Sequence, residues 1–270
     1  MFHEIKLYLE IIKNTIKSNT AYKASLFCFL LFRFIALFAS ISIWRALYDK
    51  TDNVSSSIGN ISLNNMVAYV ILSTSLSIII TNDVIRQIHQ KISSGEIAMD
   101  LIKPISLKLV FLCQTIGNNI IKFTFQIIPF LIISILFFRM EAPTWQNLIF
   151  FVLSIINAVV INFLLFYLMG LMGFWYLSVN HLSFFLSSLV TFFSGAVVPL
   201  WFFPKTLHFF ANFLPFKLIY FVPINIFLNK ITFKEIVLTL LLQILWIGIL
   251  LVFERILWSR GIKKLVIQGG

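Results

Sequence analysis

Long apolar runs separated by short polar segments dominate this sequence of 270 residues. A helix needs about 20 mostly apolar residues to cross a hydrocarbon core of roughly 30 Å. Six runs meet this requirement and predict transmembrane helices at about 24–44, 61–81, 109–138, 148–167, 181–198 and 236–257. The third run is too long for one straight crossing, so we expect its densest part, 120–138, to span. The pattern predicts an all-α integral membrane protein with six transmembrane helices.

The composition excludes the main soluble classes. Hydrophobic residues make up 60% of the chain and charged residues 11%, whereas a soluble domain has about 25% charged residues. Two cysteines and ten glycines argue against a disulfide scaffold and a fibrous repeat. The chain is therefore expected to have lipid as its main surroundings.

The positive charges predict the orientation. The formal net charge is +11, and the positive-inside rule places excess lysine and arginine on the cytoplasmic side. With both termini inside, twelve of the 21 basic residues are cytoplasmic, namely Lys6, Lys13, Lys17, Lys23, Arg86, Lys91, Lys103, Lys108, Arg255, Arg260, Lys263 and Lys264. Six fall outside, namely Lys50, Arg139, Lys205, Lys217, Lys230 and Lys234. The charge thus indicates membrane topology, and we expect no nucleic-acid partner.

The N-terminal segment, residues 1–20, predicts an amphipathic helix. Ile5, Leu9, Ile12 and Ile16 recur at helical spacing, apart from a stripe of lysines and Glu10. Such a basic helix is typical of the membrane interface, where lysines meet anionic lipid. The helix has two interpretations. It either lies on the membrane surface and merely precedes the first span, or its polar face docks a cytoplasmic partner.

The loop at 82–104 predicts two short helices joined at a glycine. Apolar residues line one side of the first helix, namely Val84, Ile85, Ile88 and Ile92. Gly95 suits a left-handed helix end, and a second helix, Glu96–Ile102, closes before Pro104. This elbow is either a surface loop that rests on lipid or a rigid knob that a soluble subunit grips.

The segment 199–230 predicts a re-entrant helical hairpin on the outer face, before the last span. Four prolines, Pro199, Pro204, Pro215 and Pro223, divide it into apolar pieces that are too short to span. Aromatic residues that include Trp201, Phe202 and Phe203 would form a lid there. The alternative is an ordinary aromatic belt at the headgroups.

Catalytic and metal-binding signatures are absent from the sequence. No phosphate-binding loop precedes a Lys–Ser/Thr pair, and the four histidines stand apart from one another. Cys28 and Cys113 are isolated in apolar contexts, which favours packed thiols. We therefore expect no enzyme activity, no metal and no cofactor bound by this chain.

Charge within the predicted spans bears on the energy source. No acidic residue lies centrally in a span, which disfavours coupling to a proton or sodium gradient. Arg33 is the one deep charge. It either attracts an anionic substrate in a cavity or pairs with polar neighbours and fixes one helix to another.

Three sequence motifs, together with the order of the amphipathic helix, the six spans, the elbow and the hairpin, indicate a resemblance to a known family. SGEIAMDLIKP (94–104) resembles a G-E-I-x-x-D-L-I-x-P segment, and SGAVVPLWFFP (194–204) followed by LPFKLIYFVPINIF (214–227) resembles an S-G-x-x-x-P-L-x-x-x-P segment before a hairpin. Over nearly its whole length the chain resembles permease subunits of type-2 ABC exporters, whose ATPase is a separate polypeptide. The short stretch 48–60 departs from the family, because it leaves little room for an outer recognition domain.

The resemblance implies a single exporter transmembrane domain, 1–270, in a bacterial cell membrane. It implies a cytoplasmic ABC ATPase dimer that binds ATP and Mg. It also implies a second permease copy, identical or diverged, and the two copies would face each other through spans one and five. The loop 82–104 would be the coupling helix, with ATPase-coupling residues Arg86, Gln90, Ser94, Gly95, Glu96 and Asp100. Arg33, Trp201, Phe202 and Phe203 would line or gate the path of a peptide, lipid or drug.

Two other functions stay open at this stage. One is an ion-coupled secondary exporter, and the other is a non-transporting immunity or anchor protein. The missing carboxylates argue against the first, and the elbow and hairpin against the second.

Overall fold

The computed structural model describes residues 2–19, 23–49, 57–58, 61–103, 105–138, 142–176 and 178–264. Nearly all of this part of the chain is helical. Its α-helices are α1 (Phe2–Asn19), α2 (Lys23–Asp49), α3 (Leu63–Ile80), α4 (Val84–Ser93), α5 (Glu96–Ile102), α6 (Leu107–Lys122), α7 (Ile128–Phe138), α8 (Trp145–Leu171), α9 (Asn180–Phe193), α10 (Lys205–Phe213), α11 (Phe221–Phe227) and α12 (Phe233–Ile262). Two short strands, β1 (Ser57–Ile58) and β2 (Ile61–Ser62), pair antiparallel with Ile58 opposite Ile61.

Five helical segments of the described chain are long and apolar enough to cross a membrane. They are Cys28–Asp49, Leu63–Ser93, Leu107–Phe138, Trp145–Phe174 and Phe233–Ile262, and each overlaps a predicted span. The prediction of an all-α membrane protein is thus confirmed. A sixth span would exist if the pair Lys205–Phe213 and Pro215–Phe227, bent by 74°, were one crossing.

The predicted fifth span ends earlier than expected. The sequence predicts a helix to Val198, before Pro199, but α9 ends at Phe193. Gly195 has a φ of +81°, a left-handed conformation that stops the helix although the sequence around it stays apolar. With 14 residues α9 is about 21 Å long, shorter than the hydrocarbon core.

The long helical segment 107–138 contains a π turn at Phe123–Ile127 between α6 and α7. The N–H of Ile128 donates to the carbonyl of Phe123, five residues earlier. Pro129 follows at once and has no N–H to continue an α-helical ladder. The wider turn accommodates this missing donor, and the chain stays helical through it.

The helix α8 lies at the centre of the packing. It contacts α12 along most of its length, α4 at its C-terminal end and α11 at its N-terminal end. We call these two ends of the bundle the elbow end and the hairpin end. Beside this core, α2 packs on α3 and α1 packs on α6. Many large apolar side chains stay exposed on the outer faces of α2, α9 and α12, as a lipid-facing surface requires.

Candidate functional site

The elbow, residues 82–103, is built as predicted from two short helices and a left-handed glycine. Val84, Ile85 and Ile88 of α4 are at most 3% exposed. They pack on α8, where a Cβ atom added at Gly170 would lie 2.7 Å from the Cδ1 of Ile88. The apolar side of α4 therefore rests on protein, and the interpretation of a loop resting on lipid is not supported. Pro104, the end of the predicted loop, lies outside the described residues.

Within the elbow, Asp100 holds the two short helices together. Its carboxylate accepts hydrogen bonds from the ammonium of Lys91 on α4 and, at 2.7 Å, from that of Lys103. Burial alone would raise the pKa of Asp100, but these bonds and the two positive charges lower it below its ordinary value. Gly95, with a φ of +77°, provides the turn that lets α5 fold back to this position.

The other predicted coupling residues lie on the exposed side of the elbow. Arg86, Gln90, Ser94, Gly95 and Glu96 are all exposed, and Arg86 forms an ion pair with Asp83 at 3.0 Å. Asp100 differs from them, because its side chain is only 13% exposed. The structure thus separates an exposed surface from an internal clamp, which the sequence motif alone did not do.

Two apolar residues of α5 belong to this surface and were missed by sequence reasoning. Met99 is 66% exposed and Ile102 is 79% exposed, while Ile97 on the same helix is buried. The available signal was an apolar pair on the side of a short helix opposite its buried residue. We define the elbow surface as Arg86, Gln90, Ser94, Glu96, Met99 and Ile102.

Further contacts fix the elbow end of the bundle. The ammonium of Lys108, at the start of α6, forms an ion pair at 2.8 Å with the carboxylate of Glu254 on α12. Glu254 is buried, and no local pattern predicts this pair because 146 residues separate the two partners. The pair joins the helix that follows the elbow to the last long helix.

The helix α1 packs on α6 through a face that only partly coincides with the predicted apolar stripe, since Ile12 lies at the contact. Its contacts with α6 include a hydrogen bond from Asn19 to Asn118 at 2.6 Å. Thr15 packs closely on α6, because a Cβ atom added at Gly117 would lie 2.9 Å from the Cβ of Thr15. Ile5 and Leu9 of the predicted stripe stay 52% and 60% exposed. One face thus contacts protein, and a neighbouring apolar face is left uncovered.

Arg33 lies on α2 and contacts α3. Its Nη1 atom donates a hydrogen bond to Oγ of Ser77, one turn before the end of α3. The Ser77 hydroxyl donates in turn to the carbonyl of Thr74 at 2.7 Å. Of the two interpretations of Arg33, this geometry favours the one in which it fixes one helix to another.

At the hairpin end, α3 supports the break that follows α9. The hydroxyl of Tyr69 donates to the carbonyl of Gly195 at 2.7 Å, and that of Ser73 donates to the carbonyl of Ala196 at 2.5 Å. The N–H of Phe221 donates to the carbonyl of Ser194 at 3.0 Å. The first part of the motif SGAVVPLWFFP is thus a buried turn whose carbonyls are satisfied by two other elements.

The three predicted gate aromatics contact different helices. Trp201 makes an edge contact with Tyr69 at 5.2 Å, Phe202 stacks on Trp44 of α2 at 5.4 Å, and Phe203 packs on Phe192 of α9 at 5.2 Å between ring centroids. Arg33 is not among them. Its partner Ser77 is eight residues beyond Tyr69 on α3, about 12 Å along the helix axis.

A buried amide, also missed by sequence reasoning, connects the hairpin to the long helices. Nε2 of Gln243 on α12 lies 3.0 Å from the Ser154 hydroxyl on α8 and 3.0 Å from the carbonyl of Leu218. Its Oε1 accepts from Asn157 at 3.3 Å. Gln243 is fully buried, so this network fixes the segment between α10 and α11 against the bundle.

These features define a class, a multi-pass all-α membrane protein with a fixed, partly exposed elbow at one end. Over residues 34–269 the chain matches the family described as ABC-2 family transporter protein, and it belongs to that family. The resemblance in the sequence motifs is confirmed. The chain is accordingly an ABC-type permease, and its family membership indicates an ABC ATPase as a partner. Comparison with curated proteins and with solved structures gives no match.

Proposed function

We propose that this chain is the permease subunit of an ATP-driven exporter, and that its elbow surface docks on a separate ATP-binding subunit. The single observation that carries this proposal is the contrast between the two sides of α4. Its apolar side is closed against α8, while Arg86 and Gln90 on its other side are exposed. This arrangement suits a docking element, because the permease holds one side of α4 and leaves the other side available to a partner.

The packing supports a rigid-body transmission of motion. A displacement of the elbow carries α8 with it, because Ile88 fills the space beside Gly170 with no room to slide. The Lys108–Glu254 pair extends the connection to α12. ATP and Mg²⁺ would be held by the partner ATPase dimer, whose closure would move the elbow and hence the long helices.

We infer a topology of six spans with a re-entrant hairpin. In this arrangement α9 and the turn after it, which together reach residue 198, form the fifth span, because α9 alone is shorter than the hydrocarbon core. The helices α10 and α11 form the hairpin at 199–230, and α12 is the sixth span. The bend of 74° between the two hairpin pieces and the buried turn at 194–196 support it. The elbow end, with both termini, would be cytoplasmic in a bacterial cell membrane. The helix α1 would lie at that interface with Ile5 and Leu9 toward lipid.

The substrate path is proposed to form between two permease copies, along α2 and α9. The face of α9 contains a cavity of about 740 Å³ lined mainly by apolar side chains, including Phe184, Phe192 and Phe203, with hydroxyl groups of Ser187, Ser188 and Thr191. Such a wall suits a hydrophobic or amphipathic substrate, whether a peptide, a lipid or a drug. The second copy is either identical or a diverged sister.

The alternative of an ion-coupled exporter has less support. It requires a carboxylate at mid-depth that binds and releases an ion. Among the described residues, the buried carboxylate of Glu254 lies toward the elbow end and is already paired with Lys108.

The test is a charge reversal on the elbow surface. Glu96→Lys should leave the permease folded in the membrane but abolish its effect on the ATPase activity of the partner subunit in reconstituted vesicles. Asp49→Lys is the matched control, because Asp49 is an exposed acid at the last residue of α2, at the hairpin end. Unchanged ATPase stimulation by Glu96→Lys would contradict the proposed docking.

A further inference from the structure

A polar cavity of about 390 Å³ opens at the elbow end, between α1, α2, the segment that leads from α3 into α4, and the last turns of α6. We call it the polar pocket. Its wall contains amides, hydroxyls, one aspartate and one lysine, chiefly Asn19, Thr81, Asp83, Gln87, Asn118, Asn119 and Lys122. The proposed docking of the ATPase uses none of these side chains.

Two charged side chains, Asp83 and Lys122, lie in the wall of the polar pocket. The ammonium of Lys122 donates to the carbonyl of Thr81 at 2.7 Å, which occupies one of its three N–H donors. The carboxylate of Asp83 is 64% exposed and paired with Arg86 at 3.0 Å. Lys122 forms no ion pair within the described chain, so it is the charged group of the wall whose charge is not already balanced.

Amide donors surround Lys122. Asn118 is positioned by the hydrogen bond that its Oδ1 accepts from Asn19, which leaves its own N–H₂ group to donate. Within the described residues, the side chains of Asn119 and Gln87 make no hydrogen bond to the protein. An ammonium flanked by amide N–H groups is a suitable set of donors for a phosphate oxygen.

The backbone near Lys122 supports a functional interpretation. The π turn begins at Phe123, directly after this lysine. Single π turns inside α-helices often mark functional sites, because they change the direction of the side chains on either side. Here the turn lies between the polar residues of α6 and α7, in which Ser134 is the one polar side chain.

We propose that the polar pocket binds a phosphate group, that of an anionic phospholipid in the adjoining leaflet. The pocket lies beside the start of α2 and the end of α3, where the proposed topology places the headgroups and lysines can meet acidic lipid. The assignment to the cytoplasmic leaflet rests on the proposed topology, whereas the phosphate site itself does not. Lipid bound there would bridge α1 to α6 and so stabilise the N-terminal helix.

The test is lipid binding to the purified permease alone, which requires neither ATPase nor transport. In detergent, phosphatidylglycerol should raise the melting temperature more than phosphatidylcholine does. Lys122→Gln should weaken this binding about tenfold, as expected for loss of a charge-assisted hydrogen bond, and Lys122→Arg should restore most of it. Lys234→Gln, an exposed lysine of α12 at the hairpin end, should bind like the wild type.

Asn119→Ala provides a second variant if Lys122→Gln does not fold, and it should also reduce the shift. If every one of these variants that folds binds phosphatidylglycerol as tightly as the wild type, the proposed site is wrong. An equal shift with inorganic phosphate would overturn the lipid assignment, because a soluble phosphate would then suffice. Failure of the Glu96→Lys test would leave these results unaffected, since no partner subunit is present.

Discussion

The hydroxyl of Tyr69 and the carbonyl of Gly195 are joined by a hydrogen bond of 2.7 Å, although 126 residues separate them. Gly195 follows α9 in a left-handed conformation, so its carbonyl has no helical partner. A buried carbonyl without a partner is costly, so an irregular turn inside a helical bundle needs donors from the protein. The hydroxyl of Tyr69 thus allows α9 to end inside the bundle.

Tyr69→Phe should destabilise the protein by about 1–2 kcal/mol, because it leaves the Gly195 carbonyl buried and unpaired. The measurement is unfolding of the purified protein in nanodiscs. Tyr176→Phe is the matched control, since Tyr176 is 52% exposed and should lose nothing measurable. Equal stability of the two variants would mean that the bond does not support the turn.

Gly195→Ala should be more harmful than Gly248→Ala. A Cβ atom there would lie 2.8 Å from the Tyr69 hydroxyl, and a non-glycine residue in the left-handed region costs about 1–2 kcal/mol. Gly248→Ala on α12 should be neutral or slightly stabilising, because a Cβ atom there meets nothing within 4 Å.

A double-variant cycle tests the same contact. In the Tyr69→Phe background the clash disappears with the hydroxyl, so Gly195→Ala should cost less than it does in the wild type. Additive effects of the two substitutions would argue that they act on separate parts of the turn.

The elbow was predictable from sequence because its pattern and its burial agree. Val84, Ile85 and Ile88 recur at helical spacing, and their side of α4 is the one that packs on α8. Gly95 stops the helix through its own backbone freedom, so the helix boundaries also followed from local chemistry. Long apolar runs located five spans for the same reason, namely that length and hydropathy are local properties.

Other features depend on contacts that no local pattern encodes. The early end of α9 lies inside an apolar stretch, and its carbonyls are satisfied by Tyr69 and Ser73, which sequence alone does not connect to it. Gln243 lies in a long apolar helix, and no local pattern connects it to Ser154 or Leu218. Asp100 resembled its exposed neighbours, and only the packing of α5 on α4 places it between two lysines.

The Asp100 clamp should make the elbow sensitive to acid. Because the folded state lowers the pKa of Asp100, the clamp stabilises the elbow above the ordinary carboxyl pKa of about 4. This stabilisation is lost as the pH falls through the lowered value. Amide exchange of residues 91–103, corrected for its intrinsic rate, should show protection in the wild type that declines below about pH 4.

Asp100→Asn should lack this decline and show weaker protection at neutral pH. Glu96→Gln is the control, because Glu96 is exposed and in the described chain forms no ion pair, so its profile should follow the wild type. A pH profile of Asp100→Asn that matches the wild type would show that another group controls the elbow.

Removal of the Gln243 amide should loosen the hairpin without unfolding the bundle. Gln243→Leu keeps a similar volume but leaves the Leu218 carbonyl and the Ser154 hydroxyl without their partner. Hydrogen bonds between helices in membranes are worth about 0.6–2 kcal/mol each, so we expect a loss of about 1–3 kcal/mol. The local effect should appear as faster amide exchange around residues 214–220. Gln146→Leu, at an exposed position near the start of α8, should change neither quantity. If Gln243→Leu leaves exchange in this segment unchanged, then the apolar contacts of the hairpin hold it without the buried network.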